Sequence, residues 1–235
     1  NPKNNKRITF EKQAGHKEVR DMFCDSKNTM WIASGEGKIF TVNVNEIDFD
    51  NPASLKFNPV AYNVNNNSGS SNIMFTITED AGGNMWAGGN KGLYCLKSGE
   101  EKWIHYSNIP GDENSIHGND VRSLVFDKKG NLWIGTNGGG LNRYNKATNN
   151  FTHFTTENGL PNDAIYTILC DNNGKLWLGT NYGLCCFNPE DYSYKNFTMK
   201  DGLQNYEFNT NAALKLKDGR LLFGGVDGYN VIDPS

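Results

Sequence analysis

The sequence repeats one short motif at nearly regular intervals, and this repetition constrains the fold more than any other feature. The four best copies are DSKNTMWIASGEG from Asp25, DAGGNMWAGGNKG from Asp80, DKKGNLWIGTNGG from Asp127 and DNNGKLWLGTNYG from Asp171. A fifth, degenerate copy, DGRLLFGGVDG, is read from Asp218. Internal repeats of this kind indicate an architecture built by stacking one unit against the next.

The spacing of the repeat predicts the type of unit. One large apolar column runs through the copies, and its members are Trp31, Trp86, Trp133, Trp177 and Leu222, spaced by 55, 47, 44 and 45 residues. A period near 45 residues is too long for a hairpin and matches the four-stranded blade of a β-propeller. We therefore predict an all-β propeller of about five four-stranded antiparallel blades, either as a closed five-bladed ring or as part of a larger propeller.

Turn signals divide the chain into blades. Asn fills 35 positions and Gly fills 26, and both residues favour turns over helix interiors. We interpret residues 1–235 as a single propeller region. Its blades are predicted near 19–60, 73–107, 121–155, 165–198 and 208–234, with residues 8–11 as an outer strand of a preceding or of the last blade. The Trp column is expected to fill the layers between blades, because a blade cannot cover its own faces.

The repeats resemble a known family. The unit VRSLVFDKKGNLWIGTNGGGLNRY from Val121 resembles the two-component regulator propeller repeat, and residues 165–187 are nearly as similar. The linker NGLPND at 158–163, its weaker copy DGLQN at 201–205 and the closing segment LLFGGVDGYNVIDP at 221–234 fit the same family. The resemblance covers almost the whole chain and is weakest in residues 1–18 and 40–72.

The resemblance implies a function. Proteins of this kind are periplasmic sensor regions of Bacteroidetes hybrid two-component regulators, which detect oligosaccharides and control a histidine kinase. It implies a non-catalytic, periplasmic sensor module whose partners are an oligosaccharide and the rest of the parent kinase. Exposed blade faces and strand edges would in addition favour a homodimer or other self-association.

We predict the ligand site on the face where the loops from strand four to the next strand one meet the strand two–three turns. Exposed loops on a rigid scaffold carry binding residues, and amides, carboxylates and aromatic rings suit ligands rich in hydroxyl groups. The candidates are Asn119, Asp120, Arg122, Asn137, Asn162, Asp163, Tyr166, Asn181 and Tyr182. An alternative is that the Asn and Asp residues serve only to satisfy the turn backbones.

Composition and spacing argue against other classes of protein. A net charge of −3 disfavours nucleic-acid binding, and no run of 18 apolar residues is long enough to insert into a membrane. The five cysteines include no CxxC pair and the four histidines show no metal spacing, so we predict no metal, no cofactor and no catalytic residue. Two alternatives stay open: a propeller glycosidase or lyase using Asp120 and Asp163, and a passive scaffold or dimerisation propeller.

Overall fold

The computed structural model describes residues 18–48, 50–51, 55–62 and 72–234, which form a five-bladed all-β propeller. The predicted fold class is confirmed. Four blades are antiparallel sheets of four strands in chain order, and the fifth has three strands among the described residues. The strand predicted at residues 8–11 lies outside the described residues.

The strands are short and evenly spaced. Blade one contains β1 (Val19–Cys24), β2 (Thr29–Ser34), β3 (Ile39–Asn43) and β4 (Asn58–Val60). Blade two contains β5 (Met74–Glu79), β6 (Met85–Gly89), β7 (Gly92–Leu96) and β8 (Trp103–Tyr106). Blade three contains β9 (Val121–Phe126), β10 (Leu132–Thr136), β11 (Leu141–Asn145) and β12 (Asn150–Phe154). Blade four contains β13 (Ile165–Cys170), β14 (Leu176–Thr180), β15 (Gly183–Phe187) and β16 (Tyr194–Phe197). Blade five contains β17 (Phe208–Lys215), β18 (Leu221–Gly225) and β19 (Gly228–Ile232).

The first strand of each blade lies nearest the propeller axis. Consecutive first strands contact one another, β1 with β5, β5 with β9, β9 with β13 and β13 with β17. Each linker repeat begins at the last residue of a 3₁₀ turn. The two turns are Thr156–Asn158 and Met199–Asp201, and each is followed by a glycine with positive φ. These turns carry the chain from the outer strand of one blade back to the inner strand of the next.

The repeated Asp and Trp are joined by a hydrogen bond. In blade three the indole Nε1 of Trp133 donates to Asp127 Oδ2 at 2.8 Å. Oδ1 of the same carboxylate accepts the backbone N–H groups of Lys129 and Asn131, each at 2.9 Å, which fixes the turn between strands one and two. The Nδ2 of Asn131 donates to Oδ2 at 2.8 Å. The same Asp-to-indole bond recurs in blades one, two and four at 2.8, 3.2 and 3.0 Å.

Blade five replaces both members of this pair. The backbone hydrogen bonds that close its turn, Leu216 N to Arg220 O and Gly219 N to Leu216 O, match those around Asp171 in blade four. Leu216 therefore occupies the Asp position, and Asp218, from which the sequence copy was read, lies two residues further on. With Leu222 in the Trp position, the polar pair of the other blades has become an apolar pair.

Each Trp packs between its own blade and the next. Trp133 is fully buried in a cluster with Ile165, Leu176 and Phe187 of blade four. Trp86 packs in the same way with residues of blade three, and Trp177 with residues of blade five. Most of the hydrophobic core is thus a series of layers between sheets. Blade one adds a cluster of its own, formed by Ile32, Phe40 and Val42.

Polar side chains of the inner strands tie neighbouring blades together. Asp21 Oδ2 accepts the N–H of Ile77 in the next blade at 2.9 Å, and Ser123 Oγ accepts that of Ile168 at 3.0 Å. Blade five approaches the other side of the axis through a wide bulge in β17. There the Nδ2 of Asn211, which has φ 57°, donates to Phe75 O at 2.6 Å and to Arg20 O at 3.2 Å. Blade five is thereby bonded to blades one and two.

The first prediction concerns the Trp layers. Trp133→Ala empties a fully buried site between blades three and four, so we expect it to lower the free energy of unfolding by about 3–5 kcal/mol. Chemical denaturation followed by circular dichroism measures this loss. Leu222→Ala is the control, because the half-buried Leu222 occupies the same column and should cost less. Equal losses in the two variants would contradict the assigned role of Trp133.

The second prediction concerns the Asp127 carboxylate. Burial raises its pKa, but the hydrogen bonds from Trp133, Asn131 and Lys129 outweigh that effect and hold the pKa below the ordinary value of 3.8. Asp127→Asn turns an NH₂ group toward N–H donors and should cost about 1.5–3 kcal/mol at neutral pH.

The contribution of Asp127 to the stability of the fold depends on pH. The lowered pKa means that Asp127 stabilises the fold fully above pH 3.8 and loses this effect as the pH falls through the folded value. The difference in melting temperature between wild type and Asp127→Asn should therefore shrink in acid. Asp218→Asn serves as the control: Arg220 lowers the pKa of Asp218 as well, but both side chains are exposed, so this variant should change the melting temperature little at any pH. A constant difference from pH 7 to pH 2 would refute the linkage.

Candidate functional site

The predicted binding face is built by backbone hydrogen bonds between its two kinds of loop. Asn137 N, in the strand two–three turn of blade three, donates to Asp120 O at 2.8 Å. Gly138 N and Gly140 N donate to Asp163 O at 3.0 and 2.8 Å. These bonds bring the approach to blade three, the turn of blade three and the approach to blade four into one row. We call this surface the loop face.

Two of the predicted residues owe their position to β-bulges. The pairing of β9 with β10 and of β13 with β14 skips one residue in each inner strand, Arg122 and Tyr166 respectively. A bulge re-aims the side chain of its extra residue, and Phe75 holds the same position in blade two. The Arg122 guanidinium lies over the Phe75 ring, 4.0 Å from its centroid. The bulges therefore direct arginine and aromatic side chains to the axial side of the sheets.

A charged cluster surrounds Asp120. Its carboxylate receives Nε and Nη2 of Arg122 at 2.8 and 2.6 Å, in a two-pronged ion pair whose side chains are 26% and 22% exposed. Asn137 Nδ2 donates to the same carboxylate at 3.0 Å. Asp120, Arg122 and Asn137 thus form a preorganised set, and the Asn137 side chain lies at its exposed edge.

Asp163 has a structural task in this arrangement. Its Oδ1 accepts Thr156 N at 2.7 Å and its Oδ2 accepts Thr156 Oγ1 at 3.1 Å, so the side chain anchors the 3₁₀ turn of the linker. Asn162 Oδ1 accepts Ala164 N at 2.8 Å, and Asn119 Oδ1 accepts Asn108 N at 2.7 Å. Each of these three side chains therefore accepts a backbone N–H of a nearby loop. This is the alternative role that the sequence analysis left open for the Asn and Asp residues.

An exposed aromatic pair lies beside this row. The Tyr182 ring stacks on Tyr206 with centroids 4.7 Å apart and an angle of 11° between the planes. Tyr182 is 51% exposed, and its neighbour Asn181 is also exposed. Gly183 N donates to Tyr206 O at 2.8 Å, which holds the turn of blade four against the approach to blade five. The pair therefore presents a flat apolar surface with amide groups next to it.

Tyr206 is a residue of the loop face that our sequence analysis missed. The linker copies align Asn162-Asp163 with Asn205-Tyr206, so Tyr206 occupies the position that Asp163 has in the other copy. That alignment was available from the sequence. The stacking of Tyr206 on Tyr182 could not be predicted from the sequence, because the contact joins the turn of one blade to the approach of the next.

The described residues include no group of three or more His, Cys, Asp or Glu side chains arranged to hold a metal ion. His117 and His153 stack with ring centroids 3.6 Å apart, and burial together with the neighbouring His117 lowers the pKa of His153. His153 is held by Asn142 Oδ1 and the Glu113 carbonyl, which assigns it a structural role. No helix in the described parts of the chain has the length and apolar character to cross a membrane.

Comparison with known proteins assigns the repeat. Residues 115–138 and 159–182 match the family model of the two component regulator propeller. Two segments of the chain thus match the two-component regulator propeller repeat. The resemblance seen in the sequence is confirmed, although the sequence has no significant match among curated proteins.

Solved structures share the propeller fold. The extracellular domain of a putative one component system from B. thetaiotaomicron has a TM-score of 0.75 and 21% identity, over 98% of this chain and 32% of that chain. A putative hybrid two component system from the same organism gives 0.65 and 19%, over 93% and 34%. Virginiamycin B lyase from Staphylococcus aureus gives 0.64 and 14%, over 93% and 71%. The chain thus spans about a third of the length of the two B. thetaiotaomicron extracellular domains.

Proposed function

We propose that this propeller is a non-catalytic, extracytoplasmic sensor module that binds an oligosaccharide on the loop face and controls a histidine kinase in its parent protein. The two matched repeats and the fold shared with extracellular domains of two-component systems support the signalling role. Such a module acts through the remainder of the sensor, which is its main protein partner. It also self-associates through exposed blade surfaces.

The stacked pair of Tyr182 and Tyr206 is the main observation that supports a carbohydrate as the ligand. The apolar faces of sugar rings stack on aromatic side chains, while the hydroxyl groups need donors and acceptors close by. Tyr182 offers such a face in a fixed orientation, because Tyr206 supports it from behind. Asn181 and Asn137 supply exposed amides on neighbouring turns of the same face.

The carboxylates favour binding over catalysis. A glycosidase needs one carboxyl group to protonate the leaving oxygen and a second to act as base or nucleophile. Asp120 is held by Arg122 and Asn137, and both oxygens of Asp163 are bonded to Thr156. Both groups already serve the protein's own loops. The likeness to virginiamycin B lyase keeps an enzyme as the competing outcome of the test.

The third prediction tests the loop face. We expect one class of oligosaccharide from digested plant or host glycans to raise the melting temperature and to be recovered intact. Tyr182→Ala removes the stacking surface and should weaken binding of that sugar about tenfold in isothermal titration calorimetry. Asn181→Ala should weaken it less, since one exposed hydrogen bond is lost.

Leu214→Ala is the matched control for this measurement. Leu214 is 58% exposed, comparable with Tyr182, but lies next to the strand one–two turn of blade five, at the opposite end of the blades from the loop face. It should leave the affinity unchanged. Unchanged affinity in both Tyr182→Ala and Asn181→Ala would refute the site. Turnover of the sugar would establish an enzyme, and the absence of any shift together with strong self-association in sedimentation would establish a scaffold.

A further inference from the structure

A groove of about 580 Å³ lies between blades two and three on the side of the propeller opposite the loop face. It is enclosed by the strand one–two turns of both blades and by the strand three–four turn of blade three, residues 145–149. Its volume falls in the range of about 300–1,000 Å³ typical of small-molecule sites. None of the residues predicted for the loop face lines it.

The groove is open because of one substitution between repeats. In blade four the strand three–four turn places Tyr192 over the equivalent groove, where its ring packs 4.9 Å from Phe154 and its hydroxyl accepts Arg143. Asn149 is the equivalent residue of blade three: both have positive φ, 61° and 53°, and both donate N–H to the carbonyl four residues earlier. The side chain of Asn149 instead accepts the hydroxyls of Tyr144 and Tyr106, and none of the described rings takes the place of Tyr192.

The inner wall of the groove is aromatic. The rings of Trp86 and Tyr144 lie 5.1 Å apart, and Phe126 and Leu132 continue the apolar surface. Tyr144 is fixed by its bond to Asn149 Oδ1 at 2.8 Å. The wall is therefore rigid and suits the apolar face of a ring.

The rim of the groove is cationic. Lys97 of blade two lies 5.6 Å from the centre of the Trp86 ring, and the exposed Lys146 belongs to the turn of blade three. Neither lysine forms an ion pair with a described residue, whereas Lys129 is paired with Glu190. Asp80 is the acidic residue of the lining. Burial raises its pKa, but hydrogen bonds from Asn84, Trp86 and Gly82 outweigh this effect, so the carboxylate keeps its charge. Two lysines that form no ion pair with a described residue thus flank an apolar wall that carries one carboxylate at its edge.

We propose that this groove binds an organic anion that carries a carboxylate or sulfate on a ring, with the anionic group between Lys97 and Lys146 and the ring against the aromatic wall. An acidic sugar and an aromatic carboxylate share this chemistry. The site is separate from the loop face and does not depend on the function proposed above.

The fourth prediction tests this groove by titration calorimetry of the whole chain. The probes are glucuronate and benzoate, with glucose as the neutral counterpart of glucuronate. We expect at least one anion to bind, glucose to bind more weakly, and the affinity to fall with added salt, since exposed charges are screened. The stronger anion identifies which source of the shared chemistry fits.

Two variants address the charge without disturbing the core. Ala147 is exposed in the lining, and blade four has Glu190 at the equivalent position, so Ala147→Glu places a carboxylate at the rim. It should weaken anion binding about tenfold, while Ala147→Gln should not. The double variant Lys97→Met/Lys146→Met should weaken it by a similar factor.

A second groove provides the matched control. The equivalent space between blades four and five, about 410 Å³, is lined by Lys175 and Lys195 together with Asp233. Lys175→Met/Lys195→Met should leave anion binding unchanged, and so should Tyr182→Ala on the loop face. The proposal is overturned if neither anion binds, if glucose binds as tightly, or if Ala147→Glu and the Lys97→Met/Lys146→Met variant bind like wild type. Anion binding that persists in Tyr182→Ala indicates that the groove and not the loop face holds the anion. The groove proposal and the loop-face proposal can therefore fail independently.

Discussion

The hydrogen bond from the Trp indole to the turn carboxylate is the interaction on which the rest of this propeller depends. In blade three one carboxylate, Asp127, fixes the strand one–two turn with its Oδ1 and orients Trp133 with its Oδ2. The oriented ring then fills the layer against blade four. Local turn geometry and packing between blades are therefore coupled through a single side chain. A repeat that kept the indole but lost the acid would leave a buried donor without a partner, which is costly.

Blade five shows that the two positions vary as a unit. Leu216 and Leu222 replace the acid and the indole together, while the backbone bonds of the turn are retained. An apolar pair satisfies the same constraint because it buries no polar group. This explains why the fifth copy is hard to recognise by its letters and yet folds as the same turn, with Phe208, Leu221 and Phe223 filling the layer next to Trp177.

The sequence predicts the blades well because their determinants are local: an acid, a glycine turn and an apolar run at fixed spacing. Strands such as Val121–Phe126 and Leu141–Asn145 each adjoin a turn of this kind. The candidate site is less accessible to such reasoning. The bulge that redirects Arg122, the pairing of Tyr182 with Tyr206 and the bond from Asn211 across the axis all join residues of different strands or blades. Asp163 satisfies a turn backbone, which its residue type alone could not distinguish from a ligand contact.

Differences between the repeats, more than the repeat itself, create the two surfaces that we propose as binding sites. Where the turn residue is Tyr192, the groove beside Trp133 is closed and the nearby cations are paired with Tyr192 and Glu190. Where it is Asn149, the same backbone conformation leaves a groove with an aromatic wall and two lysines that form no ion pair with a described residue. On the loop face, replacing the acid of the linker by Tyr206 turns a backbone anchor into a stacking partner. A rigid, repeated framework permits such single substitutions because the Asp–Trp bonds and the buried layers between blades are retained, and the substituted turn residue contacts only the outer edge of a layer.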